Sequence, residues 1–246
     1  MSTFIWLIAA FTALIILRFL FSGYLLAASL LLTGSTKLGK VSYAILFFPG
    51  VMIHELSHFF AAAALGVPTG EIEIFPKEMF GGVRLGSIKV AKTDLIRNAL
   101  IGAAPLLVGS IILFSLLKVR FPLIFESASV EAVRGVFSTQ KDWIDLVFLY
   151  LLFAVSNTMV LSKSDREGLL PTLLFIGAIL ITTAVVSRSA VHQEIIERVV
   201  TKVFSSLATT FSLVALVNGI FLLPLIIVVK VLEKVRRKRI RFKPSV

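Results

Sequence analysis

The chain has 246 residues, 57% of them hydrophobic and 21 of them Phe, with a mean hydropathy of +0.97. This excludes a soluble globular domain and indicates an all-α polytopic membrane protein whose surface meets the lipid bilayer. The net charge of +11 comes from Lys and Arg gathered at the ends of apolar runs, the pattern of a cytoplasmic membrane surface and not of a nucleic-acid partner, and the absence of Cys excludes thiolate metal ligands and disulfides.

Residues 4–32 form the first apolar run, interrupted by Arg18, and nothing in it reads as a cleaved secretory signal. Arg18 has several structural roles open to it: snorkelling, marking a helix end, or pairing inside a bundle. These outweigh a catalytic one. A polar turn at 33–40 leads into a second span, 41–65, where Pro49-Gly50 is expected to kink the helix one turn before His54.

His54-Glu55-Leu56-Ser57-His58 lies in that span, and these are the only acidic, basic or imidazole side chains between residues 41 and 70. On a helix His54 and His58 share one face at i and i+4, so both rings can reach one ion, with Glu55 beside them to handle a proton. That is the pattern of a zinc hydrolase. Titratable groups at bilayer depth are expensive and tend to face a cavity, whereas two chance histidines on a packed helix would be a rare match.

After Gly66 the period changes from helical to alternating. Glu71-Ile72-Glu73-Ile74-Phe75, a turn at Gly81-Gly82 and a return over residues 83–90 predict a surface β-hairpin at about 69–92. Such a hairpin either offers an edge to an extended peptide or is a plain connector. The third span, 98–117, carries Gly102-Ala103-Ala104-Pro105, small residues suited to close helix packing, as are Ala61 to Ala64. A polar stretch with an amphipathic segment near 127–137 precedes the fourth span, 143–161. Then come a polar knot at 162–168 with Asp165, a fifth span at 168–187, an interfacial helix near 191–200 carrying a surface His192, and a sixth span at 203–229. A basic tail occupies about 232–246.

No polar block is long enough for a separate unit, so residues 1–246 read as one membrane-embedded domain of about six transmembrane helices. With the C-terminus cytoplasmic, fifteen Lys and Arg fall on inside segments and nine outside, so both chain ends are expected inside a multi-pass cell-membrane protein. The second span then runs inward, with His58 about 10–12 Å of helix rise from its cytoplasmic end, and the site opens to the cytoplasm.

Two imidazoles leave a hydrolytic zinc site short of a third ligand, which must be Asp or Glu. Glu55 is better placed as base. Asp165 follows a span running in the same direction as the second and sits in the polar knot; its rival Asp145 lies at the opposite end of the fourth span.

The chain resembles the site-2 proteases, the intramembrane zinc metalloproteases. The His54–His58 motif matches their first signature. Asn157 and Asp165 have the eight-residue separation of their second, with Val160 where Pro is usual and Arg166 where Gly follows the Asp. The hairpin, the Gly102–Pro105 stretch and the six-span plan also correspond, in a compact form without PDZ or CBS modules. The resemblance implies hydrolysis of peptide bonds in transmembrane protein or peptide substrates. Zn2+ on His54, His58 and Asp165 would activate water, Glu55 would be the catalytic base, and Asn157 would bind substrate backbone or orient the site. A buried amide satisfied by neighbouring helices is the other role open to Asn157. It also implies that the hairpin edge receives the unwound substrate as a strand. The alternative is a catalytically inactive relative that binds membrane protein clients.

Overall fold

Apolar sequence with a single interrupting cation makes α1, Ser2–Thr33, one continuous helix; Gly34, with φ of 73°, ends it in the left-handed conformation that glycine tolerates. The computed structural model describes residues 2–73, 77–79, 82–84, 86–126, 134–136, 142–160, 190–238 and 240. Beyond α1 it contains α2 (Lys37–Leu46), α3 (Phe48–Ala64), β1 (Thr69–Glu73), β2 (Lys77–Met79), β3 (Gly82–Arg84), β4 (Ser87–Val90), α4 (Leu95–Arg120), α5 (Leu123–Glu126), α6 (Trp143–Thr158) and α7 (Ala190–Arg236). The fold is that of a helical membrane protein. Among the described residues three helices, Thr3–Thr33, Leu95–Arg120 and Glu197–Arg236, are long and apolar enough to cross a membrane, or four if the bent pair α2 and α3 counts as one span.

This is fewer than the six spans expected, and three differences account for it. The second expected span is broken at Phe47, where α2 and α3 meet at 69°. Pro49 does not kink a helix there; it sits in the first turn of α3, where its missing N–H leaves no carbonyl unpaired and its fixed φ suits a start. The Phe47 ring is fully buried in an aromatic cluster with Phe21, Phe153 and Tyr43, which anchors the break. The fourth span is a 16-residue helix, and the fifth, 168–187, lies outside the described residues, as does most of the amphipathic segment at 127–137. The separate interfacial helix near 191–200 is instead continuous with the sixth span in the 47-residue α7.

Contacts between helices give their relative directions. α1 and α7 run parallel: Phe4 faces Phe204, Phe11 faces Phe211, Trp6 Nε1 donates to Ser212 Oγ, and Arg236 donates to the Leu32 carbonyl. The N-terminal end of α1 and the basic C-terminal end of α7 therefore lie at opposite ends of this helix pair. α4 crosses in the opposite sense, and Arg120 at its end pairs with Asp145 at the start of α6. α2 starts at the Thr33 end of α1, where Gly39 packs against Ser29. The hairpin that follows α3 packs on α2 through β3 and on α3 through β1 and β4. With 69° between its two axes, the α2–α3 pair is a broken span or a re-entrant loop.

The expected hairpin is present. β1 pairs antiparallel with β4 (Ile72 opposite Ile88, Glu73 opposite Ser87), with an irregularity between Thr69 and Ile72, and β2 pairs with β3. α3 stops at Gly66, φ 66°, where Val67 N–H bonds back to the Ala62 carbonyl. Asp94 caps α4 by accepting from the N–H groups of Ile96 and Arg97, and the Arg97 amide holds its carboxyl below the ordinary value. The small residues pack as expected in part: Ala62, Gly102, Ala103 and Ala104 are buried where α3 meets α4, whereas Ala63 and Ala64 are exposed.

Candidate metal centre and catalytic cavity

α3 carries the three motif residues into the middle of the bundle. A Cβ on Gly50 would collide with the Ala154 carbonyl and the Thr158 hydroxyl, so only glycine lets α3 press against α6 one turn before His54. From that contact the imidazoles of His54 and His58 point the same way, their centroids 4.9 Å apart and their planes at 82°. Their Nε2 atoms are 3.3 Å apart. Two nitrogens at the usual zinc distance on a tetrahedral centre are separated by about 3.3 Å, so the pair fits a shared ion.

The tautomer of His58 follows from its other nitrogen. Nδ1 lies 2.8 Å from the Ile101 carbonyl on α4, and since a carbonyl only accepts, Nδ1 carries the proton and Nε2 keeps its lone pair. Ile101 is four residues before Pro105, which is inside α4 and has no N–H to donate back. The carbonyl that orients the histidine is therefore one that proline frees from the helix ladder. Pro105 was read from sequence only as part of a tight-packing stretch; its i+4 relation to a buried acceptor is the signal that would have disclosed more.

Glu55 is 9% exposed and lies under the hairpin. A Cβ on Gly86, the residue leading into β4, would sit 2.9 Å from Glu55 Cγ and 3.1 Å from Oε1. The strand thus passes over the carboxylate with no side chain between them. Beside it is a cavity of about 120 Å³ lined by His54, Glu55, Gly86, Arg18 and Val160, among others, with room for several waters. Its depth exceeds the expectation: Arg18 is about 22 Å of helix rise from the Thr33 end of α1.

Of the candidate third ligands, Asp145 is committed elsewhere. It is buried at the far end of α6 in a bidentate pair with Arg120, at 2.6 and 3.1 Å, about 18 Å of helix rise from Asn157. Asp165 lies outside the described residues. Among the described residues no group of three His, Cys, Asp or Glu converges on one point, so Glu55 does not complete a ligand set with the two histidines. The side chain of His192 is not among those described.

Asn157 does not line the cavity. It is 1% exposed, and its Nδ2 donates to the Phe153 carbonyl and to Asn218 Oδ1, while Asn218 donates to Ser156 Oγ and the Val214 carbonyl. The arrangement is an amide lock between α6 and α7. Asn218 was missed in the sequence, although an amide inside an apolar run is a signal for such a partner. Comparison of the chain with family models, with curated proteins and with solved structures finds no match.

Proposed function

We propose that the protein is an intramembrane zinc metalloprotease that hydrolyses peptide bonds of membrane-spanning protein or peptide substrates. The observation that carries the reading is the convergence of His54 and His58 Nε2 at 3.3 Å, beside a buried carboxylate and a cavity with room for several waters in a helical membrane protein. His54, His58 and Asp165 would hold the ion. Zinc, when bound, supplies Lewis acidity toward water and toward the scissile carbonyl.

The chain's own residues do the rest. His58 is held by the Ile101 carbonyl with its lone pair free for a ligand role. Glu55, on the same helix turn, takes a proton from water and returns it to the leaving amine. Gly86 brings β4 over that carboxylate, so a peptide pairing with the hairpin edge as a strand would run past the reacting groups. Asn157 is assigned to holding the end of α6 against α7. We place the basic C-terminal end in the cytoplasm, with the site opening toward it.

Metal analysis of the purified full chain tests the ligand set. Wild type is expected to carry one zinc per chain, Asp165→Ala to lose it and Asp145→Ala to keep it. A wild type without stoichiometric zinc would count against the protease. If it then retained membrane clients uncleaved, that would assign the chain a client-binding role.

A further inference from the structure

Arg18 stands at the centre of α1, where a cation in an apolar bundle is costly and calls for a function. Among the described residues its one hydrogen bond is from Nη1 to the Val160 carbonyl, at 2.9 Å, just beyond the end of α6. A guanidinium has five N–H donors, so this contact aims the group without using it up. Arg18 lines the same cavity as His54 and Glu55, and among the described residues no other Lys or Arg lines it. The amide that the motif spacing offered for substrate contact, Asn157, is turned to Asn218.

We propose that Arg18 is a catalytic residue that stabilises the negative charge developing on the scissile carbonyl oxygen; the inference rests on the peptide-hydrolysis reading above. As the water oxygen bonds to the carbonyl carbon, the π pair of the C=O bond moves onto its oxygen and Glu55 takes the water's proton. The remaining guanidinium donors meet that oxygen. When the C–O double bond reforms, the C–N bond breaks and Glu55 gives its proton to the departing nitrogen. A preorganised donor of this kind, in a site with little water, is worth about 10²–10³ in kcat. Arg18 would thus take the place that an amide would otherwise fill, and would do so from α1, an element far from both sequence motifs.

The test compares wild type, Arg18→Gln and Arg18→Lys in detergent, measuring kcat, KM, zinc content and the Kd of a peptide carrying a phosphinate in place of the scissile amide. Arg18→Gln is expected to lose about 10²–10³ in kcat at unchanged KM and zinc content, and to weaken phosphinate binding relative to the parent peptide. Arg18→Lys keeps the charge and should retain part of both; it is read in the same way if Arg18→Gln does not fold. Loss of zinc in step with activity would make Arg18 a positioning residue for the Val160 segment and overturn the proposal. So would a variant that cleaves and binds the phosphinate like wild type. Failure of wild type to cleave any membrane-spanning peptide would instead remove the hydrolysis reading on which the proposal stands.

Discussion

Replacing Pro105 by Ala returns an N–H to α4 at the position that ordinarily bonds the Ile101 carbonyl. That carbonyl now accepts from His58 Nδ1 at 2.8 Å. In Pro105→Ala the helix ladder competes for it and draws it back toward the helix axis, loosening the imidazole that the carbonyl orients. Losing such an outer partner of a ligating histidine lowers metal affinity by about 10–100-fold. A carbonyl has two lone pairs and can serve both donors in part, so the lower end, about tenfold, is expected here. The effect on stability has the opposite sign, because Pro inside a helix is about 3 kcal/mol worse than Ala. The variant should therefore melt no lower than wild type while binding zinc more weakly. Zinc competition against a chelator and thermal unfolding of the apo-protein in detergent read the two quantities separately. A Pro105→Ala protein that binds zinc as tightly as wild type would refute the claim that proline frees the Ile101 carbonyl to orient His58.

Three further outcomes follow from the packing. Gly86→Ala places a methyl 2.9 Å from Glu55 Cγ, so it should cut peptide cleavage while leaving zinc content unchanged; loss of zinc instead would show that β4 acts on the histidines. Asn218→Leu leaves the Asn157 amide and the Ser156 hydroxyl with only the Phe153 carbonyl as partner and should cost about 1–3 kcal/mol in unfolding free energy, measured by denaturant titration in detergent. Asp145→Asn removes the charge that Arg120 grips, which should lower the unfolding temperature and leave zinc bound; zinc release would return Asp145 to the ligand set.

The parts of the site that were legible in sequence are those set by spacing along one element. His54 and His58 at i and i+4 had to share a face, and the alternation at Glu71-Ile72-Glu73 had to be extended. Direction was not legible. Hydropathy reports that a helix suits the membrane and says nothing of which way it points, so the parallel pairing of α1 with α7 and the 69° angle between α2 and α3 had no signature. Pro49 misled because the same residue kinks a helix from inside and starts one from its first turn. The choice between them was made by Phe47, whose burial against Phe21 and Phe153 joins positions more than 100 residues apart in sequence. Asn157 was found by its distance from Asp165, but its partner Asn218 is 61 positions further on and entered no local pattern. Arg18 was visible as an anomaly in an apolar run; its place beside Glu55 depends on how deeply α3 is drawn in, which only the fold determines.

The central claim is that Glu55 acts as base in a peptide hydrolase. Its most direct test is the initial rate of cleavage of a membrane-spanning peptide by wild type and by Glu55→Gln at equal zinc content. The expected result is zinc-dependent cleavage by wild type and none above background by Glu55→Gln. Equal rates from the two proteins would contradict it.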